Sequence, residues 1–230
     1  MRDLIVVCFY WLGDRWQADG LGATYINRLF YGVSRNLKRP FRFVCYTNET
    51  GLGLAPEIEV KSFHSPTNRG VLPRLYMFNH EAGLIGNQVL SLDLDVVIVG
   101  DLKDLASYGG AFCVRSKFAP GQENKLDGDI IGFWADEWAE QTLWTPFVAD
   151  PERAVRMTGG RERYWLRQQL GDCHRYDRLW PGQVVSYKRH VKPNAGRVPA
   201  GARIVSCHGT PRPHEIKAQW IEENWREEVR

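Results

Sequence analysis

Two carboxylates interrupt an otherwise apolar run. Val89-Leu90-Ser91-Leu92-Asp93-Leu94-Asp95-Val96-Val97-Ile98-Val99 is β-branched and apolar on both sides of Asp93 and Asp95, the pattern of a buried strand. Side chains two apart on a strand point the same way. The spacing therefore predicts that Asp93 and Asp95 share one face, with Leu94 on the other. Two charges in a core are costly unless they are paired or bound to a metal. The expectation is that the strand emerges here and offers both carboxylates to a divalent cation.

The 230 residues suffice for one large core. A hydrophobic content of 43% with 25% charged residues is that of a globular chain and excludes a disordered one. The net charge of +3 is small, and Lys and Arg are scattered rather than striped, which argues against a nucleic-acid partner. No apolar stretch has the length of a membrane span. Met1-Arg2-Asp3 runs directly into a strand-like segment without the apolar core and small-residue cleavage site of a signal peptide, so a cytoplasmic location is expected. Of the five cysteines, Cys8, Cys45 and Cys113 lie in apolar runs and read as small buried hydrophobes. An odd, scattered set is no disulfide framework. Cys173-His174 and Cys207-His208 invite a zinc reading, but strand neighbours face opposite ways and no C-x-x-C is present.

Periodicity predicts strands at Leu4–Tyr10, Phe41–Tyr46 and Ile58–Phe63, a helix over Thr24–Lys38, and a second helix over Val71–His80 with Pro73 in its first turn. The carboxylate strand follows. This β-α-β-β-α-β order predicts an α/β fold with a mixed, mainly parallel sheet flanked by helices, and ligands collect at the carboxyl ends of strands in such sheets. Downstream, Ala111–Arg115, Asp129–Trp134, Val184–Tyr187 and Arg203–Cys207 read as strands. Glu137–Phe147, Pro151–Met157, Glu162–Leu170 and a terminal segment, Pro213–Val229, read as helices. The terminal helix would carry Ile216, Trp220, Ile221 and Trp225 on one face. No repeat or linker is present, and Gly109-Gly110 and Gly159-Gly160 read as turns. One domain over 1–230 is expected.

Near the C-terminus, Ile204-Val205-Ser206-Cys207-His208-Gly209-Thr210-Pro211-Arg212-Pro213 reads as a short strand ending in His-Gly, then a basic loop stiffened by two prolines. Gly209 permits close backbone approach to a ligand. An imidazole with two carboxylates suits Mn²⁺ better than Mg²⁺ or Ca²⁺.

Asp93-Leu94-Asp95 after a strand, the upstream Leu75-Tyr76-Met77-Phe78, and His208-Gly209 with its basic loop together resemble the metal-dependent retaining glycosyltransferases of the glycogenin and galactosyltransferase type, which have the GT-A fold. The resemblance covers most of the chain. It implies that Asp93, Asp95 and His208 bind Mn²⁺ (or Mg²⁺), which holds the diphosphate of a nucleotide-sugar, a UDP-sugar by preference. It further implies a nucleotide-binding half over 1–100, an acceptor half over 101–230, and transfer to a carbohydrate or other hydroxyl acceptor. Arg74, in Pro73-Arg74-Leu75, stands where the family has Lys in Thr-Lys-Leu, and Arg212 stands nearest the family's basic residue after His-Gly. Both are implied to meet donor phosphates, with Gly209 beside them. Tyr10, at the end of the first strand, is the residue chosen to stack on the base. Asp127-Gly128-Asp129 lies where the family has Asn-Ser-Gly, and Asp127 and Asp129 are implied to face the sugar. Gly160-Arg161-Glu162 replaces the family's Asp-Gln pair, and Glu162 is its nearest substitute. Two other readings are a sugar nucleotidyltransferase, for which Leu12-Gly13-Asp14-Arg15-Trp16 is a poor phosphate loop, and a nucleotide- or carbohydrate-binding module with a degenerate site.

Overall fold

In the computed structural model, residues 3–13 and 22–228 are described. Met1-Arg2, Asp14-Arg15-Trp16 and Val229, all named above, lie outside them. The strands are β1 (Leu4–Tyr10), β2 (Arg42–Thr47), β3 (Ile58–Lys61), β4 (Gln88–Leu92), β5 (Val96–Ile98), β6 (Phe112–Ser116), β7 (Leu126–Trp134), β8 (His174–Arg175), β9 (Val184–Ser186) and β10 (Ile204–Ser206). Seven of them form one sheet in the order β3-β2-β1-β4-β7-β6-β8. β3, β2, β1 and β4 run parallel. β7 is antiparallel to both neighbours, and β8 is parallel to β6. β5, β10 and β9 make a smaller sheet. The fold is α/β with a mixed sheet, as the element order predicts.

β1 explains why its sequence is apolar without alternation. All seven residues are buried. Ile5, Val7 and Phe9 join the core on one face, and Leu4, Val6, Cys8 and Tyr10 join the core on the other, as expected of a parallel strand covered on both sides. The helix Gly22–Asn36 covers the second face with Tyr25, Ile26, Leu29, Phe30 and Val33 buried, the helical spacing read from the sequence.

Three expectations fail, each for a local reason. The run Val89–Val99 is not one strand: it breaks at Asp93–Asp95, with β4 in the large sheet and β5 in the small one. The Val96 amide donates to the Asp93 carbonyl at 3.4 Å across that break. A turn lets each carboxylate find its own partner, where an extended run would bury both on one face at several kcal/mol per ion. The segment Val71–His80 is 3₁₀ rather than α-helical, over Leu72–Phe78 and again over His80–Ala82. Asn79 is extended between the two turns and its side chain accepts from the Glu81 amide, the local competition with helix that Asn favours. The terminal helix shrinks to Gln219–Asn224 behind a 3₁₀ turn at Pro213–Glu215, and Ala218 between them is extended. Ile216, Ile221 and Trp225 are nevertheless buried.

The Gly159-Gly160 turn is a packing contact. Gly70 and Gly160 both have positive φ (60° and 75°). A Cβ on Gly70 would lie 2.0 Å from the Gly160 carbonyl oxygen, and the Val71 amide donates to that oxygen at 2.8 Å. Only glycine at position 70 allows this approach. It joins the segment carrying Arg74 to the start of the helix Glu162–Leu170.

Candidate functional site

The turn after β4 and the end of β10 meet through the backbone. The Cys207 amide donates to the Asp95 carbonyl at 3.0 Å, continuing the antiparallel β5–β10 pairing by which Ser206 faces Val96. His208 is therefore delivered next to the Asp93–Asp95 turn from more than a hundred residues away. Its imidazole feels the charges of Asp129 and Asp127, and Asp95 feels the imidazole in turn. His208 Nε2 lies 3.0 Å from Ser186 Oγ, and the ring stacks on Phe118 with centroids 6.0 Å apart. Burial pushes its pKa down, which favours the neutral imidazole that a metal ligand requires.

Each carboxylate of the turn has an arginine. Arg74 Nη1 stands 2.5 Å from Asp93 Oδ1, and Arg212 Nη1 contacts Asp95 Oδ2. Arg74 is buried, and it also donates to the Gly128 carbonyl at 3.0 Å and to Ser91 Oγ at 3.1 Å. It is thus a charge set behind the acids and not a solvated helix residue. Burial pushes both aspartates up; Arg74 opposes this at Asp93 and Arg212 opposes it at Asp95. Asp93 remains the more open, with 34% of its side chain exposed against 12% for Asp95.

β7 supplies the third side of the cluster through a bulge. Against β6, Val114 faces Ile131 and the next residue, Arg115, already faces Asp127. Gly128, Asp129 and Ile130 are thus displaced from the β6 ladder, and the Asp129 carbonyl accepts from the Asp93 amide at 3.0 Å. Arg115, fully buried, donates through Nε to Asp129 Oδ1 at 2.9 Å and through Nη2 to Asp129 Oδ2 at 2.9 Å, and its Nη2 also stands 2.9 Å from Asp127 Oδ2. Burial pushes the Asp129 carboxyl up, and Arg115 more than reverses this, leaving it below the ordinary range. The two aspartates expected to face a sugar therefore differ. Asp129 is 4% exposed and gripped in a bidentate pair, while Asp127 keeps 23% of its side chain exposed.

Glu162 lies behind them. It is 1% exposed, neither carboxylate oxygen hydrogen-bonds to a described residue, and Arg74 Nη1 stands 3.4 Å from Oε2. Burial pushes its pKa up to about 7, against the pull of Arg74. A Cβ on Gly128 would sit 2.8 Å from Glu162 Oε1, so the small residue in the bulge makes room for the acid.

Tyr10 is placed differently from the stacking expectation. Its ring is 4% exposed, belongs to the core, and crowds the backbone of Gly22, where a Cβ would meet it at 2.3 Å. Gly209 has φ 71°, and Lys188 Nζ lies 2.9 Å from where its Cβ would be. A hollow of about 340 Å³ lined by Leu12, Gly13, Thr67, Asn68 and Arg69 follows the end of β1. A larger one, about 480 Å³, is lined by residues of 66–69 and 151–156. Neither is lined by Asp93, Asp95 or His208.

Arg115 and Ser186 are members of the site that no motif in the sequence marks. Arg115 carried a usable signal: a cation closing the apolar run Ala111–Arg115 demands a buried partner just as Asp93 does. Ser186 carried none. The residue types suit a divalent cation, with two carboxylates on one turn and an imidazole on the strand end that pairs with that turn. Among the described residues, no three His, Cys, Asp or Glu side chains stand together as a metal cage, and Arg74 and Arg212 hold the carboxylate oxygens.

No protein-family model and no curated protein matches this chain. Solved structures do. The galactosyltransferase LgtC, in complex with donor and acceptor sugar analogues, superposes with a TM-score of 0.58 at 13% identity, covering 91% of this chain and 88% of that one. The glycosyltransferase GlyE of Streptococcus pneumoniae TIGR4 gives 0.61 at 13% identity over 93% of this chain and 56% of its own. The bifunctional glycosyltransferase WbbM gives 0.61 at 11% identity over 92% and 47%. The chain therefore has the GT-A-type fold of these glycosyltransferases.

Proposed function

We propose that this protein is a glycosyltransferase that moves a sugar from a nucleotide-sugar, a UDP-sugar by preference, to a hydroxyl acceptor with the help of a divalent cation, Mn²⁺ or Mg²⁺. The observation that carries this is the Asp95–Cys207 backbone contact, which brings the segment of His208 to the Asp93–Asp95 turn at the carboxyl end of β4, the central strand of the large sheet, in a fold that LgtC shares. The LgtC complex holds donor and acceptor sugar analogues, and in open α/β sheets ligands collect at the carboxyl ends of strands, where the aspartate turn of this chain lies.

Asp93, Asp95 and His208 are the residues that would hold the cation. When bound there, it supplies Lewis-acid neutralisation of the leaving diphosphate. Arg212 contacts Asp95 from the C-terminal loop, and its guanidinium is suited to bind phosphate oxygens bidentately once they arrive. Arg74 keeps Asp93 and the Gly128 carbonyl in register from beneath. Asp129 is spent on Arg115, so it positions the β7 bulge and leaves Asp127 as the more open carboxylate toward a sugar. Gly209 brings the backbone after His208 past Lys188 without a side chain.

The pairing of every aspartate in the cluster with an arginine favours one second reading, a nucleotide-binding protein that does no chemistry. Incubation with UDP-sugars and Mn²⁺ separates the two. Release of UDP, accelerated by an acceptor, supports transfer, whereas tight UDP binding with no turnover of any UDP-sugar supports the binding protein.

A further inference from the structure

Next to Asp127 the surface turns basic. Lys117 leaves β6 and pairs through its amide with the Lys125 carbonyl at 2.8 Å, so both lysines sit at the base of the β6–β7 hairpin. Arg161 and Arg163 flank the start of the helix Glu162–Leu170. Their guanidinium carbons lie 5.7 and 5.1 Å from the centroid of the Tyr164 ring. The carboxylates facing this group are Asp127, 4.0 Å from Arg163 and already paired with Arg115 at 2.9 Å, and the buried Glu162, which feels the charge of Arg163. Lys117 Nζ meets only an uncharged amide among the described residues, Gln122 Oε1, at 3.1 Å. Arg163 Nε is shielded from solvent and has no hydrogen-bond partner among the described residues. The four aspartates of the site share three arginines, Asp127 and Asp129 both drawing on Arg115, and Arg163 lies within reach of Asp127; Lys117 and Arg161 form no ion pair among the described residues and are the cations left over. Tyr164 registers their field: a hydrogen bond from Arg163, then the charges of Arg163, Arg161 and Lys117, pull its phenol below the ordinary range.

We infer that Lys117, Arg161 and Arg163, gathered around Tyr164 beside Asp127, form a binding site for an oxyanion carried by the acceptor, a phosphate or a carboxylate on the sugar that receives the transferred residue. Guanidinium groups grip such oxyanions bidentately, and an ammonium adds a third charge-assisted donor. The Tyr164 ring between them offers an apolar face for the sugar carrying the anion. The word acceptor rests on the glycosyltransferase reading above; the anion site itself does not.

Calorimetry on the full chain tests it with glucose, glucose 6-phosphate and glucuronate as probes, each with and without saturating UDP and Mn²⁺. At least one anionic sugar is expected to bind about 10-fold or more tightly than glucose, in the range of charge-assisted contacts, and to weaken as salt is raised. The phosphate and carboxylate arms tell which anion the site takes. In a Lys117→Gln, Arg161→Gln double variant the preference should vanish while UDP affinity is unchanged. These residues are partly exposed, and a circular-dichroism melt like that of the wild type certifies the fold. Equal affinity for glucose and both anions, a preference that survives in the double variant, or displacement of the anionic sugar by UDP would each overturn the inference. Failure of UDP to bind at all removes the glycosyltransferase reading without touching the anion selectivity, which the titration without UDP still reads.

Discussion

The amide of Cys207 donates to the carbonyl of Asp95 at 3.0 Å, extending the β5–β10 ladder to the two segments on which the site depends. Without the break of Val89–Val99 into β4 and β5, Asp95 would lie inside a ladder and its carbonyl would not be free to meet β10. The carboxylates are thus the reason for the break, and the break is the reason His208 arrives beside them.

The closest backbone approach near the site predicts a stability effect at a distance from any charge. Gly70→Ala would place a methyl group 2.0 Å from the Gly160 carbonyl oxygen, at a φ of 60°. Overpacking against backbone combined with left-handed strain should cost on the order of 2–4 kcal/mol. Chemical denaturation would show this as a lower midpoint. A midpoint equal to that of the wild type would mean that the two turns are not packed as described.

Arg115 predicts a larger loss. Replacing it with Met keeps much of the volume but leaves Asp129 buried without its bidentate partner. Removing one member of a buried ion pair destabilises by roughly 3–5 kcal/mol. The companion variant Arg115→Met, Asp129→Leu should recover most of that loss, because the carboxylate it leaves, Asp127, is partly exposed and keeps Arg163 at 4.0 Å. Denaturation of both variants checks this, and the single variant matching the wild type would contradict the pairing.

Glu162 makes stability depend on pH in a stated direction. Its pKa is pushed from 4.5 to about 7 by burial in the folded chain. Between those values the folded state holds a proton that the unfolded state has lost. Stability from this group is therefore present below about pH 4.5 and declines as pH rises toward 7. Glu162→Gln removes the ionising group, so the fall in melting temperature across this window should be shallower in the variant. A parallel profile for the two proteins would remove the raised pKa.

Much of the fold was legible because buried parallel strands leave a simple record. β1 was read with its observed bounds, and the helix Glu162–Leu170 likewise. The failures lie where local chemistry overrides pattern. Asn79 breaks an apparently helical segment into two 3₁₀ turns, and a carboxylate pair turns an apparent strand into two. At the site, the aspartates and His208 were legible because charge or a Gly-flanked imidazole stands out against apolar strands. The meeting of Asp129 with Arg115 depends on a bulge in β7, which no spacing rule on a single strand announces. Tyr10 was misjudged because alternation on β1 determines which core its ring enters, and that core is the one under the helix Gly22–Asn36.

If the Asp93–Asp95 turn and His208 hold the diphosphate of a nucleotide-sugar through a divalent cation, UDP binding must depend on that cation and on Asp95. Calorimetry of UDP binding to the wild type and to Asp95→Asn, each with Mn²⁺ and with EDTA, measures both dependences. The wild type should bind UDP tightly with Mn²⁺ and little with EDTA, and a folded Asp95→Asn should bind little under either condition. UDP affinity that is the same in both proteins and indifferent to Mn²⁺ would contradict this binding mode.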